Sequence, residues 1–261
     1  MAATAISVAP QSLGFGYYTR LFSNETRYEF VRLLRTKAFS LSVIGFPVMF
    51  YLLFGSMNRG NSFARYLVAT YSCMGVVSAC LFGIGMGLAM ERAQGWLELK
   101  QASPMPRFAY LFAKLVSCAV FSVIIVGILL ILGATVGGAT IAAGEALRLA
   151  GVVVVSSIPF AAMGLLASLL VPPNSGAGIM NLIYIPMTFA SGFWMPMSML
   201  PHWLRVVAPA LPTYHLGQLA LQIFGFVKPG SAALHWEALA GFTLLMLGAA
   251  WIVFARSEAK A

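Results

Sequence analysis

The chain has 261 residues, 60% hydrophobic and only 9% charged, with 7 acidic side chains against 16 lysines and arginines. Soluble domains carry about 25% charged residues, so this composition, with a mean hydropathy of +0.88, excludes a soluble globular protein. The net charge of +9 is scattered between long apolar runs. Cations placed that way fix topology and meet anionic headgroups, and no nucleic-acid partner is implied.

Residues 1–19 carry no side-chain charge and no continuous apolar core, because Pro10, Gln11, Gly14 and Gly16 interrupt it. A cleaved signal peptide is therefore not expected. Asn24 to Lys37 reads as an amphipathic helix capped by Asn24. Glu25, Glu29 and Arg32 share a polar face, and Phe30, Val31 and Leu34 line much of the other. Such a helix, joined directly to a span, should lie in the cytoplasmic interface plane.

A bilayer core about 30 Å thick takes roughly 20 apolar residues to cross as a helix. The uncharged runs place span one at Ala38–Met57 and span two at Tyr66–Met90. A charged segment, Glu91 to Lys114, leads to span three at Leu115–Val136. Lys114 reads as a snorkelling cation at the mouth of that span, of less consequence than Glu91. Glu145 and Arg148 mark a short polar turn before span four, Leu149–Val171. Pro172-Pro173-Asn174-Ser175-Gly176 closes it, and span five follows at Ala177–Trp194. Met195 to Glu237 is apolar yet holds Pro196, Pro201, Pro209, Pro212 and Pro229, too many for one spanning helix. Short helices dipping part-way into the membrane fit better. Span six runs from Ala238 to Ala255.

The expected fold is all-α, a polytopic membrane protein with six transmembrane helices in one domain covering residues 1–261. Both termini then share a side that collects eleven of the lysines and arginines against five opposite, which puts them in the cytoplasm of a plasma (inner) membrane protein. The Pro-rich segment is then external. Cys73, Cys80 and Cys118 lie in or at the edge of spans and read as small apolar fillers. His202, His215 and His235 show no metal spacing.

Two segments carry the functional reading. One is Glu91-Arg92-Ala93-Gln94-Gly95-Trp96-Leu97-Glu98, continuing to Pro104. It is a charged linker with apolar anchors suited to a groove on a soluble partner, or else a solvated loop. The other joins Ser191-Gly192-Phe193-Trp194-Met195-Pro196 to Leu200-Pro201-His202-Trp203-Leu204, then to Pro209 and Leu211-Pro212-Thr213-Tyr214. Taken alone, it is also consistent with an aromatic interface belt.

In register with the spans, E-R-x-x-G-x-L-E followed by Pro resembles the permease subunits of ABC-2-type exporters, closest to the drug-resistance and nodulation branches. So do S-G-x-x-x-P, L-P-x-W-L and P-x-x-P-x-Y before the last span. The likeness covers essentially the whole chain. It implies a coupling segment at 91–104, in which Glu91, Arg92, Gly95 and Glu98 match, with Trp96 and Leu97 beside them. Trp96 departs from the pattern, since many relatives carry a smaller residue such as Thr. The likeness also implies an external re-entrant segment at 196–214, with Gly192, Pro196, Pro201, Trp203, Pro209, Pro212 and Tyr214 at the gate.

The chain has no G-x-x-x-x-G-K-[ST] phosphate loop, so no cofactor is expected in it. By the resemblance, ATP and Mg belong to an ABC ATP-binding subunit present in two copies, beside a second permease chain that makes a homodimer. This is a transport subunit, not an enzyme, exporting an apolar or amphiphilic substrate such as a drug, a lipid or a lipid-linked glycan. An ion-coupled transporter with a broken-helix site stays open as the alternative. An intramembrane enzyme is disfavoured, because there is no Asp, no H-E-x-x-H and no G-x-S-x-G.

Overall fold

A computed structural model describes residues 15–57, 60–96, 106–172, 175–228, 230 and 232–258. In chain order the α-helices are α1 (Phe15–Arg35), α2 (Lys37–Met57), α3 (Asn61–Cys80), α4 (Gly87–Ala93), α5 (Arg107–Thr135), α6 (Ala143–Leu170), α7 (Gly176–Ala190), α8 (His202–Val207), α9 (Pro212–Ile223) and α10 (Ala232–Glu258). A π-helical turn, Leu81–Met86, joins α3 to α4 without a break. There is no strand among the described residues. The protein is an all-α polytopic membrane protein.

Five of these stretches are long and apolar enough to cross a bilayer: Lys37–Met57, Ser62–Ala93, Phe108–Thr135, Ala143–Leu170 and Ala232–Arg256. The expected fifth span is shorter. Its helix, α7, stops at Ala190 because Gly192 takes a left-handed φ of 79° and turns the chain. At 1.5 Å per residue α7 is about 22 Å long, so the sixth crossing, if counted there, is completed by non-helical chain.

Span two is the axle of the bundle. Of its apolar window 78% is buried, against 11% for α10. Leu67, Val68, Val76, Val77 and Leu81 are sealed on all sides by α2, α5, α6 and α9. The outer faces of α2 and α10 carry exposed Leu41, Leu53, Leu244 and Trp251, as helices bathed in lipid do rather than helices bathed in water. Glycines set the closest approaches within the chain. A Cβ on Gly137 would stand 2.7 Å from the Ala64 Cβ, and one on Gly133 2.8 Å from Val68 Cγ2, so this G-x-x-x-G pair packs the end of α5 on α3.

Further boundaries differ from the sequence reading: α10 starts at Ala232, not Ala238, and span two extends over Ser62–Ala93 rather than Tyr66–Met90. The N-terminal helix begins at Phe15, so Asn24 is an exposed mid-helix residue and no cap. It ends at Thr36, whose hydroxyl donates to Arg32 O at 2.8 Å and leads into α2 after a single non-helical residue. α5 starts at Arg107, well before Leu115, which makes Lys114 an internal helix residue. Glu145 and Arg148 belong to the first turns of α6 rather than to a separate turn, and the Glu145 carboxylate accepts the Ala142 N–H at 3.0 Å. The three cysteines are free and buried, as expected.

Candidate functional site

Two clusters lie at opposite ends of span two. Tyr66 and Glu91 mark them, about 37 Å apart along the helix at 1.5 Å per residue.

The first cluster forms where α4, α1 and α5 meet. Glu91 is on α4, Glu29 and Arg32 are one turn apart on α1, and Lys114 is on α5. Lys114 Nζ donates to Glu29 Oε1 at 2.7 Å and to Glu91 Oε1 at 3.0 Å. The Arg32 guanidinium bridges the same two carboxylates, reaching Glu29 Oε1 at 2.7 Å and also pairing with Glu91. Lys114 Nζ stands 4.9 Å over the Tyr110 ring. Gly87 lies beneath, and a Cβ there would meet both cations at ordinary contact distance, 3.7 and 3.8 Å. Two anions and two cations are thus neutralised in one pocket. Side-chain exposure is 1% for Lys114, 4% for Glu29 and 5% for Glu91; only Arg32, at 43%, faces outward. Burial pushes the Glu29 carboxyl up, but the Lys114 and Arg32 charges outweigh that and hold it below its ordinary value.

This overturns one expectation. Lys114 does not snorkel; it is the buried counter-ion of two carboxylates. Glu29 and Arg32 share a face of α1, as expected, but Glu29 on it points inward to Lys114. Sequence held one hint, a lone lysine in the apolar run 108–136. Nothing in it linked that lysine to carboxylates far away along the chain.

From Glu91 the helix runs two residues further and stops at Gly95, whose φ of 73° suits glycine and closes a helical C-terminus. The Gly95 N–H donates to Arg92 O at 3.3 Å. The Arg92 Nη1 reaches Leu169 O at 3.5 Å in the last turn of α6, where cations meet the negative end of a helix. Trp96 is 55% exposed. Leu97 and Glu98 lie outside the described residues.

The second cluster gathers the Pro-rich segment around the start of α3. The Tyr66 hydroxyl donates to Gly192 O at 2.6 Å, and its ring meets Phe226 edge-on at 5.7 Å. Arg65 pairs with Glu145 and lies 5.3 Å over the Phe224 ring. Adjacent residues of span two therefore hold both ends of the segment, at Gly192 and at Phe224–Phe226.

Within it, the Ser191 and Thr213 hydroxyls meet at 2.5 Å, one donating to the other while the acceptor of that bond donates in turn to Met187 O, which lies 2.8 Å from Ser191 Oγ and 3.2 Å from Thr213 Oγ1. Trp194 Nε1 donates to Thr188 Oγ1 at 3.2 Å, while its ring packs on Phe46 and Phe50 of α2. Phe193 is buried against Gly217, where a Cβ would stand 2.8 Å from its ring. The prolines set the helix starts: Pro196 precedes the 3-10 turn Met197–Met199, Pro201 caps α8, Pro209 sits in the 3-10 turn Ala208–Ala210, and Pro212 opens α9. Trp203 is exposed on α8. Tyr214 stacks edge-on at 5.6 Å to His215, which shares a 2.8 Å Nδ1–Nδ1 hydrogen bond with His235 of α10.

The segment does not end its helical part at Tyr214. α9 continues to Ile223, with Leu216 to Leu221 buried among α3, α6, α7 and α10. At about 18 Å it is too short to span. Thr188 and the Tyr66 hydroxyl, which help tie this segment down, went unmarked in the sequence because isolated hydroxyls in apolar runs carry no spacing signal, whereas Ser191 and Thr213 lay within the motif stretches.

Residues 20–224 match the model of a family described as ABC-2 type transporter. The chain is also similar to "Putative transport permease YvfS" of Bacillus subtilis (strain 168), at 26% identity over 208 residues, covering 78% of this chain and 84% of that protein.

Proposed function

This chain belongs to the ABC-2 type transporter family, and from that premise we propose that it is the permease half of an ATP-driven exporter with both termini in the cytoplasm. Family membership makes it a membrane transport subunit that works with an ATP-binding subunit. The finer reading is that two copies of that subunit, which bring ATP and Mg, drive a homodimer of this chain. The observation that carries it is the pair of clusters on span two. The end bearing Glu91 is locked to α1 and α5 and opens into the exposed linker at Trp96; the other end holds the Pro-rich segment through Arg65 and Tyr66. A push on the linker would therefore reach the re-entrant helices of residues 191–227 through one continuous helix, with the π turn in its middle. Such turns concentrate at functional sites.

Cargo class follows from charge. Among the described residues the buried carboxylates and ammonium, Glu29, Glu91 and Lys114, all belong to the cytoplasmic cluster, and between it and Tyr66 the buried polar groups of span two are hydroxyls and thiols. An ion-coupled mechanism would place ionisable groups along that path. An apolar or amphiphilic cargo needs none.

Trp96→Ala tests the coupling role. As an exposed residue its loss should leave thermal stability within about 0.5 kcal/mol of wild type. Docking of the ATPase subunit should weaken by about 2 kcal/mol, the scale of an aromatic interface anchor, and ATP-dependent export should fall accordingly. Undiminished affinity and export would reduce the linker to a solvated loop. Thiol labelling in intact cells tests the orientation. Because the native cysteines are buried, Gly60→Cys should react with an impermeant reagent and Ala93→Cys should not; the reverse pattern overturns the topology.

A further inference from the structure

We propose that the groove between α1 and the first half of α5 binds one anionic phospholipid of the cytoplasmic leaflet, which clamps α1 to the bundle. The groove is an open one of about 360 Å³. Phe22 and Phe30 form its α1 wall, Phe112 and Val120 its α5 wall, and Ser23 and Arg27 its polar end.

Three features select a lipid over other amphiphiles. The first is shape: Phe112 and Val120 are both more than a third exposed and stand about 12 Å apart along α5 at 1.5 Å per residue. They make an apolar strip running from the start of the helix into the span, as an acyl chain does. The second is charge. Arg27 lines the groove and is exposed, and Arg20, also exposed, lies seven residues before it on the same face of α1. The inward carboxylate of α1, Glu29, is neutralised by Lys114 and Arg32, and Glu25 does not line the groove. The polar end is therefore cationic, with the Ser23 hydroxyl beside it, a match for a phosphodiester. The third is position: α1 leads through Thr36 straight into span one, so the groove lies where headgroups meet acyl chains.

Occupancy would matter because α1 carries Glu29 and Arg32 on the side turned towards Glu91. A lipid lying over the edge-on contact of Phe22 with Phe112, whose ring centroids are 5.4 Å apart, and against Phe30 would hold α1 in the register that closes that cluster. The inference rests on the cytoplasmic orientation proposed above for its choice of leaflet, but its test involves neither ATP nor transport, so either reading can fail without the other.

The test is native mass spectrometry of the purified full-length protein from a neutral detergent, with phosphatidylglycerol and phosphatidylcholine of identical chains supplied at equal concentration. Wild type should retain one phosphatidylglycerol in clear preference to phosphatidylcholine. Arg27→Gln should cut that preference about fivefold, the factor corresponding to about 1 kcal/mol per basic residue at the surface. Phe112→Ala should lower retention of both lipids alike, and Arg256→Gln, an exposed cation at the far end of the chain, should change nothing. Equal retention of the two lipids by wild type, or an unchanged preference in Arg27→Gln, would mean an ordinary annular lipid and overturn the proposal. Displacement of the lipid by millimolar inorganic phosphate would also overturn it, since the site would then recognise a free anion.

Discussion

Lys114→Met is expected to lower the thermal midpoint of the purified protein sharply and to abolish export, whereas Arg32→Ala should do much less. Lys114 is 1% exposed and serves two carboxylates that are themselves almost fully buried. Removing it leaves both with only Arg32, and breaking a buried ion pair from one side costs roughly 3–5 kcal/mol, mostly the penalty of the charge left behind. Arg32 is 43% exposed, so water screens its contribution.

The same logic predicts a partial rescue. Adding Glu29→Gln to Lys114→Met removes one of the stranded charges, so the double variant should be less unstable than the sum of the singles. A cycle over the four proteins should then show a coupling energy above about 0.5 kcal/mol. Export should not return with stability, because Glu91 still lacks Lys114, its tie to α5. A Lys114→Met protein as stable as wild type would mean that the lysine lies at the interface after all and that the cluster is no lock.

The second large effect is a reversal of sign between two glycines of one helix. Replacing a helical glycine by alanine ordinarily gains up to about 1 kcal/mol, and Gly151→Ala, with open space around its missing Cβ, should follow that rule or be neutral. Gly164→Ala should instead destabilise. A Cβ there would stand 2.8 Å from the backbone oxygen of Cys80 and 3.2 Å from the Gly85 nitrogen, atoms of span two at and inside the π turn. Backbone cannot rotate out of the way as a side chain can, and overpacking of this kind costs about 1–3 kcal/mol. Since α6 would be wedged off the helix that joins the linker to the Pro-rich segment, export should fall with it. Thermal midpoints of the two variants, measured side by side, decide the matter. A stabilised, active Gly164→Ala protein would show that α6 does not bear on the π turn.

Composition and patterning alone determined the class of this protein. Uninterrupted apolar runs of bilayer length can only be helices, because lipid offers backbone groups no partners outside the chain, and the prolines after Trp194 forbade one more simple crossing. The turns in the two motif segments were also legible, since Gly95, Gly192 and the helix-opening prolines Pro201 and Pro212 work through local backbone geometry, which sequence writes directly.

What tertiary structure decided is everything that depends on which helices touch. Glu29 and Lys114 are separated by 85 positions and Tyr66 and Gly192 by 126, and no periodicity encodes such pairings. Sequence assigned Lys114 to the mouth of span three as a snorkelling cation. Packing reversed that assignment by bringing two carboxylates from different helices to the same atom, where mutual neutralisation makes burial affordable. Span five was similarly extended to Trp194 on hydropathy, but the glycine turn at Gly192, pinned by Tyr66 from another helix, ended the helix at Ala190. Local chemistry fixed where helices can begin and stop; only their packing fixed which charges could leave water.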